Sequence, residues 1–169
     1  MVTERVTTMG KATEGDVLSY LKNMSVFYRQ NLLGEHLDVL VQPEFVLKYG
    51  KFYDSNEIPK IDAKGAPKEC FKNALQCAQK YGMYYAEGFC ASKVVITLHA
   101  FCVTKDGKVY DPTWDDQAGN IYHGIVFDTT KVARHMTKSR IYGSMIDDWK
   151  NGWPLLTGVH NIDRWVPAN

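Results

Sequence analysis

Three residues in this chain have the types that make a cysteine nucleophile competent: Cys70, His99 and Asp111. The thiolate, not the thiol, is the reactive form. A helix N-terminus beside an imidazolium brings a thiol pKa from about 8.5 to roughly 3.5–7.5. Cys70 stands three residues after a proline in "APKECFKNALQCAQKYGMYYAEGF". Proline suits the first helical position, where its missing N–H has no partner to lose. The spacing therefore predicts a helix over 67–81, ended by Gly82. Its unpaired N–H groups would place partial positive charge beside Cys70. Cys77 lies on the same face two turns deeper, where that field has faded. Position alone does not make a nucleophile, because most buried cysteines are only small hydrophobes. The case rests on a base and a group to orient it.

Of the five histidines, His36, His99, His123, His135 and His160, only His99 sits inside a strongly apolar run, "KVVITLHAFCV". An imidazole buried there without a partner costs free energy. The partner is a matter of turn chemistry. Asp111, in "VYDPTW", belongs to the strand that pairs with that of His99 across Lys105-Asp106-Gly107. Side chains alternate along a strand, and residues directly opposite share a face. A two-residue turn would pair Cys102 with Asp111 and leave His99 on the other side. A three-residue loop, with Gly107 left-handed, pairs Phe101 with Asp111. His99, Phe101, Asp111 and Thr113 then share one face and Cys102 takes the other. The three-residue loop is the expectation, because it makes the two polar residues each other's partner.

The elements that must hold these residues follow from periodicity. Val17, Tyr20, Leu21 and Met24 recur at helical spacing from Thr13, with Thr or Asp as cap. A loose polar stretch of a dozen residues precedes it. Leu32–Tyr53 is mixed, with Pro43 as a breaker and a second helix across Glu44–Tyr49. Asp54–Ala66 is a long loop. In the Cys70 helix, Cys70, Phe71, Ala74, Leu75, Cys77, Ala78 and Tyr81 share the apolar face. Lys72, Asn73, Gln76, Gln79 and Lys80 fill the other. Strands are expected at Met83–Ala91, Val94–Thr104, Lys108–Trp114 and Tyr122–Phe127. Asp128–Met136 reads as helical, as does Ile141–Trp149 from its stripe of Ile141, Met145 and Trp149. The tail packs back as irregular structure. Glu87 is expected to be a solvated or loop-facing strand residue, and Asp115-Asp116 a solvated acidic turn. The whole is a single α+β domain over 1–169, with its core at about 60–127 between helical flanks 13–53 and 128–169.

A helix-initial Cys70, then "YAEGF" (85–89), "HAFCV" (99–103) and "VYDPTW" (109–114), resembles the transglutaminase-like superfamily, cysteine enzymes that share a core with papain-type proteases. The resemblance covers Pro67–Trp114, and Phe101 stands where tryptophan is frequent. It implies a helix bearing Cys70 packed on an antiparallel sheet bearing His99 and Asp111. It also implies acyl transfer on an amide or ester through a thioester, of the protease, amidase or transglutaminase type. Cys70 would be the nucleophile, His99 the base and acid, and Asp111 the orienting group. A papain-like enzyme has a glutamine a few residues upstream of its cysteine. Lys64 and Gly65 occupy that place here, which leaves Gln42 or Trp114 as the substrate-binding candidates. The rival reading is a transglutaminase-like module that binds a protein partner without catalysis.

Composition sets the outer limits. The chain has 169 residues, 45% of them hydrophobic, with 20 basic and 19 acidic side chains. That balance, without a run of Lys/Arg, argues against a nucleic-acid partner and for a protein, peptide or small amide substrate. The longest apolar stretch is too short to span a bilayer, and the first residues lack the apolar core of a signal peptide. These features predict a cytoplasmic chain without a membrane partner, whose four cysteines stay reduced. No CxxC or HxxxH spacing occurs, so neither metal nor cofactor is expected.

Overall fold

A computed structural model describes residues 11–33, 39–93 and 95–168. The loose N-terminal stretch foreseen from the sequence falls almost wholly outside them, as does Val94. The described residues form four α-helices and five strands: α1 (Glu14–Tyr28), α2 (Gln42–Tyr49), β1 (Lys51–Tyr53), α3 (Cys70–Tyr81), β2 (Tyr84–Ser92), β3 (Val95–Val103), β4 (Val109–Tyr110), β5 (Ile121–Phe127) and α4 (Thr129–Ser139). The class is mixed helix and antiparallel sheet. No helix among the described residues is long and apolar enough to cross a membrane.

The strands run in the order β1-β5-β2-β3-β4, and every neighbouring pair is antiparallel. The outermost two also meet. Asp54, just after β1, bridges to Lys108, just before β4, and the Val109 N–H donates to the Asp54 carbonyl at 2.8 Å. The sheet is therefore curled until its edges touch, which gives it a convex and a concave face. Ala74, Leu75, Cys77 and Ala78 of α3, with α1, α2 and α4, pack on the convex face against Tyr85, Phe89, Ala100, Cys102, Ile125 and Phe127. Ala86, Cys90, Phe101, Val103, Val109 and Tyr122 fill the concave side. Burial on both faces explains why the residues of β2, Glu87 and Ser92 apart, do not alternate between apolar and polar. At the middle of the sheet Gly88 faces Gly124, and a Cβ on Gly88 would lie 2.1 Å from the His123 carbonyl oxygen. The two strands close on each other because neither glycine has a side chain.

Several boundaries depart from expectation. Thr13 is the N-cap of α1, and Asp16 completes the capping box by accepting from the Thr13 N–H at 2.8 Å. Pro43 does not break α2 but lies in its first turn, where proline is tolerated. Lys51–Tyr53 is a short strand that periodicity does not reveal. The strand expected over Lys108–Trp114 is reduced to Val109–Tyr110, since the chain turns at Asp111 and Pro112 has no N–H for a ladder. Asp128 caps α4, its carboxylate accepting from the Thr130 and Lys131 N–H groups.

Ile141–Trp149 is not a helix. Of its supposed stripe only Met145 is buried, while Trp149 is 60% exposed. The segment is held by Glu87, which is fully buried and not solvated. The Tyr85 hydroxyl and Met145 N–H donate to its Oε1, each at 2.6 Å. The Ser144 hydroxyl at 2.6 Å and the Ile146 N–H at 3.2 Å donate to Oε2. Burial raises the Glu87 carboxyl above its ordinary value, opposed by hydrogen bonds from Ser144, Tyr85, Met145 and Ile146.

Candidate active site

The register that brings the site together is set by the hairpin. Val103 pairs with Val109 and Cys102 with Tyr110, which continues to Phe101 opposite Asp111. The Thr104 N–H donates to the Lys108 carbonyl at 2.9 Å, and Gly107 has φ +87°, so Lys105-Asp106-Gly107 is the three-residue loop with a left-handed third residue. Cys102 consequently faces α3, where its thiol donates to the Ala74 carbonyl at 3.2 Å. His99 and Asp111 share the concave side, with His99 Nε2 2.8 Å from Asp111 Oδ2. They are 3% and 0% exposed, so the pair is shielded from water.

Asp111 is surrounded by donors. Its Oδ2 also accepts from the Tyr122 hydroxyl at 3.0 Å. Its Oδ1 accepts from the backbone N–H groups of Thr113 at 2.8 Å and Trp114 at 3.1 Å. The Gln117 amide brackets its backbone, accepting from the Asp111 N–H at 2.7 Å and donating to its carbonyl at 3.3 Å. Burial, then the Asp111 charge, push the Tyr122 phenol far above its ordinary value, so it stays a hydrogen-bond donor.

Cys70 is the first residue of α3 and is partly exposed. The helix starts three residues later than expected, because Pro67 and Lys68 form a turn in which Lys68 takes φ +68°. No side chain caps the helix, and Asn73 is the first residue whose N–H finds a carbonyl, that of Glu69 at 2.9 Å. The N–H groups of Cys70, Phe71 and Lys72 thus have no helical acceptor. Asn73, expected on the solvent face, is buried. Its amide donates to the Ala66 carbonyl at 2.8 Å and the Thr113 hydroxyl at 3.1 Å, tying α3 to the loop after Asp111. The Gly65 N–H donates to the Pro112 carbonyl at 2.8 Å in the same seam, and a Cβ on Gly65 would overlap the Asn73 amide at 2.1 Å.

Burial pulls the His99 pKa down, but the hydrogen bond to Asp111 and the nearby Cys70 thiol outweigh it, raising the pKa from 6.5 to about 9. Since Nε2 is taken by Asp111, Nδ1 is the nitrogen left for Cys70. Trp114 stacks on the His99 ring with centroids 4.0 Å apart and planes 12° apart. It walls the imidazole and confines its rotation.

The other sequence candidates are placed differently. The Gln42 amide donates to Asp147 Oδ1 at 2.8 Å, and Gln42 lines a cleft with Tyr28, Val41 and Trp153, none of which touches the His99 cluster. His123 is buried against Phe52, without a carboxylate, and burial lowers its pKa. Asp115 and Asp116 are exposed, as expected of a solvated turn. Cys77, Cys90 and Cys102 are buried. Sequence reasoning missed Tyr122, Gln117 and Asn73. Only Asn73 left a trace, as an amide at the edge of an apolar helical arc. Among the described residues no cluster of His, Cys, Asp and Glu side chains is arranged to hold a metal ion. Comparison with protein-family models, curated protein sequences and solved structures returned no match.

Proposed function

We propose that this chain is a cysteine enzyme with a transglutaminase-like core that transfers an acyl group from an amide or ester through Cys70, His99 and Asp111. The observation that carries the reading is the buried 2.8 Å contact between His99 and Asp111, in a chain whose partly exposed Cys70 opens a helix. A merely structural histidine has no need of a buried carboxylate that is itself held by three further donors.

The Cys70 sulfur attacks the carbonyl carbon, and the carbonyl π pair moves to oxygen. The unpaired N–H groups at the start of α3, that of Cys70 foremost, are donors for that oxyanion. As the tetrahedral intermediate collapses, His99 gives its proton to the leaving nitrogen or oxygen, and the C–N or C–O bond breaks to leave a thioester. Water or an amine then gives a proton to His99 and attacks the thioester, and the thiolate departs. Asp111 keeps the imidazole in place and stabilises its protonated form. Trp114, stacked on His99 and partly exposed, forms a wall of the substrate site.

The test is intact-mass detection of covalent adducts with a panel of thiol-directed amide substrate analogues. Wild type should gain one adduct per chain; Cys70→Ala should gain none and His99→Ala should react far more slowly. Equal, slow modification of all four cysteines would reduce Cys70 to a packing residue.

A further inference from the structure

On the side of α4, away from its buried residues Val132 and Met136, the helix carries Lys131, Arg134 and Lys138, one turn apart from each other. These three and Arg164 line a cleft of about 360 Å³ whose remaining walls are His135, His160 and Trp165. No lining residue is shared with the Cys70 site. The cleft is built and not merely a patch. The Asp128 N–H donates to the Trp165 carbonyl at 2.7 Å, the Trp165 N–H to the Ile162 carbonyl at 2.7 Å and the His160 N–H to the Pro154 carbonyl at 2.8 Å. The first bond ties the 160–165 segment to the start of α4, and the other two fix the segment's own course.

The charge in this cleft is not balanced from within. The helix contains no Asp or Glu. Asp128 reaches Lys131 at 3.6 Å and Asp148 is taken by His135 at 2.9 Å. Among the described residues Arg134, Lys138 and Arg164 form no ion pair. Like charges at this helical spacing repel, so the stripe weakens α4 unless an anion lies over it. The helix C-terminus accounts for Lys138 alone. The His160 ring stacks on Trp165 with centroids 5.7 Å apart and gives the cleft an aromatic wall.

We propose that this cleft binds a compact soluble polyanion with at least two phosphate groups, of the organic or inorganic di- and triphosphate class. Guanidinium groups match phosphate oxygens two at a time, and here one comes from α4 and one from the 162–164 turn. Lys131 and Lys138 lie about 10 Å apart along the helix axis, the reach of linked phosphates and more than one carboxylate spans.

The probe is inorganic tripolyphosphate, titrated calorimetrically into the full chain at physiological ionic strength. The expected dissociation constant is on the order of 100 μM. Arg134→Gln and Arg164→Gln, both at exposed positions, should each weaken binding about tenfold without lowering the melting temperature of the free protein. Lys22→Gln on α1 removes the same charge elsewhere and should bind as wild type. Lack of binding, an equal loss in Lys22→Gln, or unchanged affinity in either arginine variant would overturn the proposal. Tight binding of a single-stranded oligonucleotide without binding of tripolyphosphate would also overturn it, in favour of a nucleic-acid surface. Adduct formation at Cys70 is not part of the readout, so the outcome is independent of the acyl-transfer reading.

Discussion

Each oxygen of the Asp111 carboxylate accepts two hydrogen bonds, and the division of donors decides what an amide there would do. Two backbone N–H groups point at Oδ1, so in Asp111→Asn the amide oxygen must occupy that place. The NH2 then lies where Oδ2 was, donates to His99 Nε2 and forces the ring proton onto Nδ1, facing Cys70. An imidazole in that tautomer cannot take the thiol proton. Asp111→Asn should therefore keep the fold yet slow adduct formation at Cys70 by about 10⁴-fold. A rate near wild type would show Asp111 to be structural. Removing the Tyr122 hydroxyl is a milder change, because Oδ2 keeps His99. The elevated His99 pKa has a second consequence. Unfolded, the ring loses its proton near pH 6.5; folded, it keeps it to about pH 9. The folded state thus binds more protons between these values. The stabilisation is complete below about pH 6.5 and drains away as pH rises through about 9, on the order of 3 kcal/mol in all. Urea midpoints of wild type should fall across that window, and those of His99→Gln should not share the fall.

Register is an arithmetic property of a hairpin, which is why the His99–Asp111 pairing was legible before any coordinates. With side chains alternating, one residue more or less in the loop decides the face, and Gly107 marks the left-handed position of the longer loop. Where β4 stops was not legible, because the turn at Asp111 depends on tertiary donors, Gln117 among them. The start of α3 was misjudged for a related reason. Proline fits a first helical turn and an open turn equally well, and Lys68 adopts a left-handed conformation that no local signal announces. Periodicity alone assigns Asn73 to solvent, yet it bridges Ala66 and Thr113, in the two stretches of chain that flank Cys70 and Asp111. Asn73→Ala should cost about 1–2 kcal/mol in urea unfolding, since a buried amide is lost together with its two hydrogen bonds. It should also slow Cys70 modification, because the start of α3 is no longer tied to the Asp111 loop. A variant that is destabilised but reacts at the wild-type rate would confine Asn73 to stability.

At the scale of the whole molecule, the curled sheet has to be covered on its convex side, and the covering is partly irregular. Helical spacing misled over 141–149 because apolar residues there do recur at three to four positions, but the backbone donors of Met145 and Ile146 go to Glu87 instead of to a helix. An acidic residue within an apolar strand reads naturally as a break toward solvent. Nothing local shows that four donors from its own strand and a distant segment converge on it. The arrangement fits only an acceptor. Oε1 receives the Tyr85 hydroxyl and one backbone N–H, and Oε2 receives the Ser144 hydroxyl and the other N–H. Glu87→Gln must therefore set its NH2 against a backbone N–H whichever way the amide is turned. One buried main-chain donor loses its acceptor and meets a second donor. The cost should be about 2–4 kcal/mol, more than the usual effect of so small a change. The loosened part should be the 141–147 segment, whose amides should exchange with solvent faster in the variant while those of β2 and β3 stay protected. Stability within about 0.5 kcal/mol of wild type would show that these four donors do not hold the segment, and the anchor would have to be sought among the apolar contacts of Met145 and Ile146.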